Sequence, residues 1–196
     1  MPRLTHQRAP AARDPGLIEH IETHLGRIAR GSDVSGERGV QVALVEGAPI
    51  SDAQSYVTLG LSRHVLQSAS KRQFRMELLG ASYRRFESLQ PEANLLAVAH
   101  DLLDSHRALL RGEVVGPAGP IVPGSVLEAY YCAIPVYFSD SLATFRRTVP
   151  GTVIVWLVPI SHAEAHYVWQ HGWSQFEDLL VAHDPDLLDV MRPSLV

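Results

Sequence analysis

Histidine pairs at helical spacing are the residues of this chain best suited to metal chemistry. The sequence contains two such pairs, His20 with His24 and His162 with His166. A zinc hydrolase motif needs a glutamate directly after the first histidine, where its carboxylate can polarise the metal-bound water. Ile21 and Ala163 hold those positions, which predicts that both pairs lie on solvated helix faces. A metal-dependent hydrolase that uses His162, His166 and His171 is kept as the alternative.

Two glutamates occupy positions typical of helix starts. Glu164 follows Ser161 by three residues, and Glu177 follows Ser174 at the same spacing. In a capping box of this kind, the serine and the glutamate each bond to the other's free backbone amide. The spacing therefore predicts that both glutamates cap helices, and that neither serves as a general acid or base.

The sequence offers no recognisable nucleophile or nucleotide site. Ser62 lies in Gly60–His64 but lacks the Gly-x-Ser-x-Gly pattern of a nucleophile elbow. Cys132 is the only cysteine, and its place in an apparent strand predicts a small buried hydrophobic residue. The two glycine-rich motifs that bind nucleotide phosphates, Gly-x-x-x-x-Gly-Lys and Gly-x-Gly-x-x-Gly, do not occur. We therefore expect a protein with no catalytic residues, no cofactor and no metal.

Charge and hydropathy exclude two further classes of partner. The formal net charge is −4 and the isoelectric point is about 6.2, which is the wrong sign for neutralising nucleic-acid phosphates. No apolar stretch approaches the roughly 20 residues of a membrane-spanning helix, and the N-terminus lacks the apolar run of a secretory signal. With a single cysteine, the chain suits a reducing compartment, and we expect a cytoplasmic protein.

The 196 residues are predicted to form one domain behind a short arm. Residues 1–13 are rich in alanine, proline and arginine, which predicts a flexible arm. Residues 14–196 are predicted to form a single domain, because 46% of the chain is hydrophobic and can supply a core. Neither an internal repeat nor a further low-complexity tract is found.

Helical and alternating apolar patterns predict an α/β domain. The first predicted helix starts at Asp14, and its apolar period continues to Ile28. The second starts at Pro91, and its apolar period continues to Leu110, before Gly112. Three short helices are predicted near the C-terminus, at Ser161–Gln170, Ser174–Ala182 and Pro185–Met191. Predicted strands are Val40–Val45, Tyr56–Leu59, Phe74–Leu79, Val126–Tyr131 and Val153–Val158, the last buried on both faces and stopped by Pro159. Alternation in the others favours a mixed, largely antiparallel central sheet flanked by helices.

Aromatic residues near the C-terminus are the predicted partner-binding residues. Tyr167, Trp169, His171 and Trp173 are large amphipathic side chains beside Gly172, of types enriched at interfaces. Two groups of charged residues could steer a complementary protein: acidic Glu177, Asp178, Asp184, Asp186 and Asp189, and basic Lys71, Arg72, Arg75, Arg84 and Arg85. A homo-oligomeric scaffold that uses Trp169 and Trp173 is a third possibility.

Several ordered segments resemble the Suppressor of fused family, and in particular its small bacterial members. The matching pieces are Tyr56–Ser62 with its Gly-x-Ser turn, the Glu-Leu strand Arg75–Leu79, the long helix to Leu110, the Pro123-Gly124 turn, Trp156–Ile160 with Glu164, Tyr167 and Gly172, and the Asp-x-x-Arg element Asp189–Arg192. The resemblance extends from Leu17 to Pro193.

This resemblance implies a non-enzymatic α/β domain that sequesters another protein. In animals such domains hold transcription factors, whereas many bacterial members neutralise a cognate toxin as immunity proteins. The chain lacks the additional C-terminal region of the animal protein, so we do not expect a transcription-factor partner. The resulting hypothesis is a protein-binding domain of the toxin-immunity type.

Overall fold

The structure of the protein is a computed structural model that describes residues 16–31 and 39–196. Asp14 and the predicted arm of residues 1–13 lie outside the described residues. The strands are β1 Ile28–Gly31, β2 Gln41–Glu46, β3 Ala53–Leu59, β4 Leu66–Gln67, β5 Gln73–Tyr83, β6 Val114–Val115, β7 Leu127–Ala133, β8 Thr144–Phe145 and β9 Thr152–Ser161. The α-helices are α1 Leu17–Leu25, α2 Ala93–Ser105, α3 His162–His171 and α4 Trp173–His183.

The strands form one mixed sheet in the order β1-β2-β3-β5-β9-β7-β6. Of its neighbouring strand pairs only β5 and β9 run parallel, while β4 and β8 add short antiparallel pairings to β5 and β9. The prediction of a largely antiparallel sheet is confirmed. β9 lies between β5 and β7, which makes it an interior strand, as expected from its continuous apolar sequence.

Helices cover both faces of this sheet. Side chains alternate along β9, so Val155 and Leu157 pack in the core on one face while Trp156 and Val158 pack in the core on the other. The buried side of α2 packs in the first core. The buried residues of α1, α3 and α4 pack in the second core. In the part of the chain that the structure describes, no helix is long and apolar enough to cross a membrane.

The two long predicted helices are shorter than the periodicity suggested. α1 ends at Leu25 because Gly26 takes a φ of 104°, and Ile28 then begins β1 instead of a further helical turn. α2 ends at Ser105, where His106 adopts the left-handed conformation, so Leu109 and Leu110 follow in irregular chain. Both apolar runs continue into the core after the backbone has left the helix, which sequence periodicity does not distinguish from a longer helix.

Two predictions near the C-terminus are wrong. Pro159 does not stop β9, because the parallel pairing with β5 ends at Trp156 and the register with β7 shifts close to the proline. Residues 185–191 are not helical. There the carboxylates of Asp186 and Asp189 accept bonds from the backbone N–H groups of Leu188 and Met191, which favours turns over a helix.

A buried ion pair fastens the C-terminal segment to α3. The predicted capping box is confirmed at Ser161 and Glu164, and Glu164 is fully buried. The Arg192 guanidinium donates to both carboxylate oxygens of Glu164, at 2.7 and 3.0 Å, and also to the carbonyl of Pro159 at 3.0 Å. Glu164 thus starts the helix and also holds the last residues of the domain in place.

A second buried carboxylate, Glu77 on β5, organises the turn after β3. It accepts hydrogen bonds from the Thr58 hydroxyl at 2.7 Å and from the backbone N–H groups of Gly60 and Ser62 at 2.9 and 3.1 Å. Gly60 has a φ of 111°, and a Cβ there would lie 2.3 Å from the carbonyl oxygen of Gly39. The turn therefore requires glycine at position 60 and an acceptor at position 77.

Replacing Glu77 with glutamine should remove a pH dependence of stability. Burial raises the pKa of Glu77 above the ordinary value of 4.5. Above that value the folded protein keeps a proton that the unfolded chain releases, so the free energy of unfolding falls as pH rises toward the folded pKa. Urea titrations measure the free energy of unfolding of the wild type and of Glu77→Gln, and the excess of the wild type should decline as the pH rises from 4.5. A difference that stays constant with pH would contradict the raised pKa of Glu77. Asp101→Asn, at an exposed position of α2, corrects for charge removal alone.

Candidate functional site

An apolar pocket of about 230 Å³ opens between the sheet and α4. The buried residues Tyr131, Trp156 and Val158, from β7 and β9, form its floor. Its exposed apolar rim consists of Ile134, Val136, Tyr137 and Val181. Val136 and Val181 are 69% and 83% exposed, so these apolar groups face solvent and are available to a partner. We call this site the apolar pocket.

The local sequence explains why these side chains meet. β7 ends at Ala133, and the turn that follows is closed by the Val136 N–H bonding to the Ile134 carbonyl and the Phe138 N–H bonding to the Pro135 carbonyl. This turn brings three apolar side chains to the rim. On the opposite side, α4 buries Phe176 in the core and presents its next two turns to the apolar pocket.

One wall of the apolar pocket is polar. The Tyr131 hydroxyl donates a hydrogen bond to the Glu177 carboxylate at 2.8 Å. The Arg111 guanidinium forms a bidentate ion pair with the same carboxylate. Burial and the bond to Glu177 raise the pKa of Tyr131, and the Glu177 carboxylate raises the pKa of Arg111. The Tyr131 hydroxyl and the Arg111 guanidinium therefore keep their protons at neutral pH.

The prediction that Glu177 forms a capping box is wrong. Gly172 is the N-cap of α4 and has no side chain to accept a bond, so Ser174 already lies inside the first turn. The carboxylate of Glu177 is instead used by Arg111 and Tyr131. Its role is to connect α4 to β7 and to the segment before β6.

The indole of Trp156 is a polar group of the pocket floor with an unused hydrogen bond. Trp156 is only 1% exposed, and its ring packs against Tyr137 and Phe138 with centroid distances of 5.0 and 6.2 Å. Among the described residues its indole N–H has no hydrogen-bond partner. A buried donor without an acceptor costs free energy, so the position of Trp156 is maintained by the packing of its ring.

Of the four predicted partner-binding residues, two contact each other and a third lies beside the apolar pocket. Tyr167 is half-buried and stacks on His171 at 4.4 Å, while Trp169 is 55% exposed elsewhere on α3. Trp173 is 44% exposed and lies under the guanidinium of Arg111 at 4.8 Å, which places it beside the polar wall of the apolar pocket. Of the four, only Trp173 is brought next to this site.

The histidine pairs lie on exposed or partly exposed helix faces. His20 and His24 are 4.7 Å apart by ring centroids and border an open cleft of about 480 Å³, while His162 and His166 are exposed on α3. Burial and the neighbouring His20 lower the pKa of His24. In residues 16–31 and 39–196, no three metal-ligating side chains come together.

Sequence reasoning missed the residues that define the apolar pocket. Ile134, Val136 and Tyr137 belong to an apolar run that Pro135 interrupts and that folds as an irregular segment. Val181 belongs to the predicted helix that begins at Ser174. An apolar run after a strand-breaking proline was the available signal, but only the fold shows that α4 lies opposite to it.

Comparison with known proteins identifies what the chain is similar to. The family model of the Suppressor of fused protein (SUFU) matches residues 36–193. No curated protein matches the sequence at a significant level.

Solved structures with the same fold include a SUFU homologue from Neisseria gonorrhoeae FA 1090, at 19% identity and a TM-score of 0.66, covering 92% of this chain and 94% of that one. The structure of the Sufu-Fu complex has a matching chain at 14% identity and a TM-score of 0.66, covering 94% of this chain and 93% of that one. Drosophila Suppressor of Fused matches at 14% identity and a TM-score of 0.59, over 79% of this chain and 42% of its own.

Proposed function

Because this chain belongs to the Suppressor of fused family, we propose that it works by binding another protein, and that the apolar pocket is where the partner binds. One of the similar structures is a complex, Sufu-Fu, which supports a protein as the partner. The apolar pocket is also smaller than the roughly 300–1,000 Å³ typical of small-molecule sites. Its size suits one anchoring side chain of a protein partner.

The observation that carries this proposal is the ring of solvent-exposed apolar side chains around the apolar pocket. Protein interfaces commonly have an apolar centre with charged groups at the edge. Here the apolar rim is bordered by the Arg111–Glu177 ion pair and by Trp173. Tryptophan and arginine are also the residue types most enriched at the energetic centres of interfaces.

We propose further that binding, without catalysis, is the whole activity. The buried ionisable groups serve the fold: Glu77 holds a turn and Glu164 pairs with Arg192. Burial raises the pKa of Cys132 to about 12, so its thiol stays protonated and is a poor nucleophile. The resemblance to small bacterial members supports a toxin-immunity role in the cytoplasm, with a cognate toxin as the sequestered protein.

Site-specific photo-crosslinking tests the proposal. With benzoylphenylalanine in place of Val181, irradiation in cells of the source organism should give a covalent adduct with one partner protein. The matched control carries the same group at Val149, which is apolar and 92% exposed but lies outside the apolar pocket. No adduct at Val181, or equal adducts at both positions, would refute the apolar pocket as the binding site. The immunity role would be supported if the captured protein is a toxin that is encoded beside the gene for this chain.

A further inference from the structure

The stretch of sequence that builds the apolar pocket is nearly free of cations. Histidines aside, the only basic residues between positions 112 and 191 are Arg146 and Arg147. The same stretch contains nine acidic residues, which are Glu113, Glu128, Asp140, Glu164, Glu177, Asp178, Asp184, Asp186 and Asp189. All residues that line the apolar pocket belong to this stretch, except Arg111. The apolar pocket is therefore built from a strongly acidic part of the chain.

The few arginines of this region leave its negative charge in place. Arg146 and Arg147 line the open cleft beside α1, and a guanidinium nitrogen of Arg147 lies 3.7 Å from a carboxylate oxygen of Glu19. Among the described residues that line the apolar pocket, Arg111 is the only lysine or arginine. Its guanidinium is paired with Glu177. The positive charge at the apolar pocket is therefore already compensated.

Carboxylates without such compensation lie at the edge of the apolar pocket. Asp184 lines this edge, and Asp178 lies about one helical turn before the rim residue Val181. Both aspartates are exposed, and neither has an ion-pair partner in residues 16–31 and 39–196. Burial raises the pKa of Tyr137 at the rim, and the negative charges of Asp186 and Asp184 raise it further. The apolar rim therefore lies within the electrostatic reach of these carboxylates.

This charge selects the kind of surface that the apolar pocket binds. Charges of opposite sign across an interface accelerate encounter, and charges of the same sign reject a wrong partner. An acidic segment would place its carboxylates opposite Asp178 and Asp184. Lysine or arginine residues would instead pair with these unpaired aspartates, while an apolar side chain between them covers the apolar rim.

We propose that the apolar pocket receives an apolar side chain from a positively charged segment of the partner protein, in which lysine or arginine residues lie opposite Asp178 and Asp184. This assignment rests on the proposed function, since it names the partner chemistry of the same site. Salt should weaken the attraction, because exposed charges are screened beyond about 10 Å at 0.1 M ionic strength.

Matched peptides test the charge requirement before the partner is known. The probes, all with blocked ends, are Lys-Lys-Leu-Phe-Lys-Lys, the acidic Glu-Glu-Leu-Phe-Glu-Glu, and Lys-Lys-Ser-Ser-Lys-Lys, which lacks the apolar residues. Binding is followed by NMR through the valine methyl signals of the whole isotope-labelled chain. Val136 and Val181 report on the rim, and Val149, which is 92% exposed outside the apolar pocket, reports on non-specific contact.

Lys-Lys-Leu-Phe-Lys-Lys should shift the Val136 and Val181 signals and bind roughly three- to tenfold more tightly than the acidic peptide at low salt. Salt at about 0.5 M should bring the two affinities together. Asp184→Asn should reduce the preference about two- to fivefold. The matched variant Asp101→Asn, at an exposed position of α2 on the other face of the sheet, should leave the preference unchanged.

Several outcomes would overturn the proposal. Equal affinities for the basic and acidic apolar peptides would show that charge does not select the partner. Equal binding of Lys-Lys-Ser-Ser-Lys-Lys, or equal shifts at Val149, would show that the apolar pocket is not used. Shifts of the Val136 and Val181 signals on dilution without peptide would assign the apolar pocket to a second copy of the chain.

The peptide and cross-linking experiments fail separately. If Val181 captures a partner through a segment without lysine or arginine, the apolar pocket binds protein and the charge assignment is wrong. If the peptide order holds and no partner is captured, the chemistry assigned to the apolar pocket stands and the proposed function fails.

Discussion

Replacing Arg192 with alanine is expected to lower the free energy of unfolding by about 3–5 kcal/mol, the usual cost of breaking a buried ion pair. The variant would leave the carboxylate of Glu164 buried without its cation, since the side chains of Glu164 and Arg192 are 0% and 4% exposed. The Pro159 carbonyl would also lose its bond from the guanidinium. Urea denaturation followed by circular dichroism measures the loss.

Two further variants make this expectation specific. Arg84→Ala breaks an exposed ion pair with Glu46 and should cost less than about 1 kcal/mol. The double variant Glu164→Gln/Arg192→Met removes both charges and should recover much of the stability lost in Arg192→Ala, because glutamine can still complete the capping box. A single-variant loss as small as that of Arg84→Ala would show that the pair does not hold the C-terminal segment.

Local patterns in the sequence predicted the sheet better than they predicted where helices end. β9 was identifiable because a continuous run of β-branched and aromatic residues is typical of a strand buried on both faces. The end of α1 depended on the positive φ of Gly26, while Ile28 matched the helical period closely enough to hide the change to a strand. Periodicity reports burial, and a strand or an irregular segment can bury the same residues.

Four of the segments that carried the family resemblance are held together in pairs by buried carboxylates. The Gly-x-Ser turn contains Gly60 and Ser62, whose N–H groups bond to Glu77 of the Glu-Leu strand. Glu164 and the arginine of the Asp-x-x-Arg element meet in the buried ion pair. The sequence showed these residues in order along the chain, but their pairing is a tertiary property.

The candidate site was less predictable than the fold. Tyrosine and tryptophan residues between 167 and 173 have the right composition for an interface, yet their exposure depends on how α3 packs. The apolar pocket depends on two segments far apart in sequence, residues 134–137 and α4. Neither segment has a pattern that distinguishes an exposed apolar side chain from a buried one.

A charge placed at the rim should weaken partner binding strongly. Val136→Arg would put an unpaired guanidinium into an apolar contact, which costs far more than the lost methyl groups. We expect partner affinity to fall at least about 30-fold, or about 2 kcal/mol, the level of an interface hot spot. The fold should be unaffected, because Val136 is 69% exposed and lies in a turn.

Whether the partner binds at the apolar pocket is measured most directly by its dissociation constant, determined by calorimetric titration against Val136→Arg and Val149→Arg. Val149→Arg should keep wild-type affinity, because it adds the same charge at a position that is 92% exposed and outside the apolar pocket. Val136→Arg should bind at least about 30-fold more weakly. Equal dissociation constants for the two variants would show that the partner binds elsewhere on the domain.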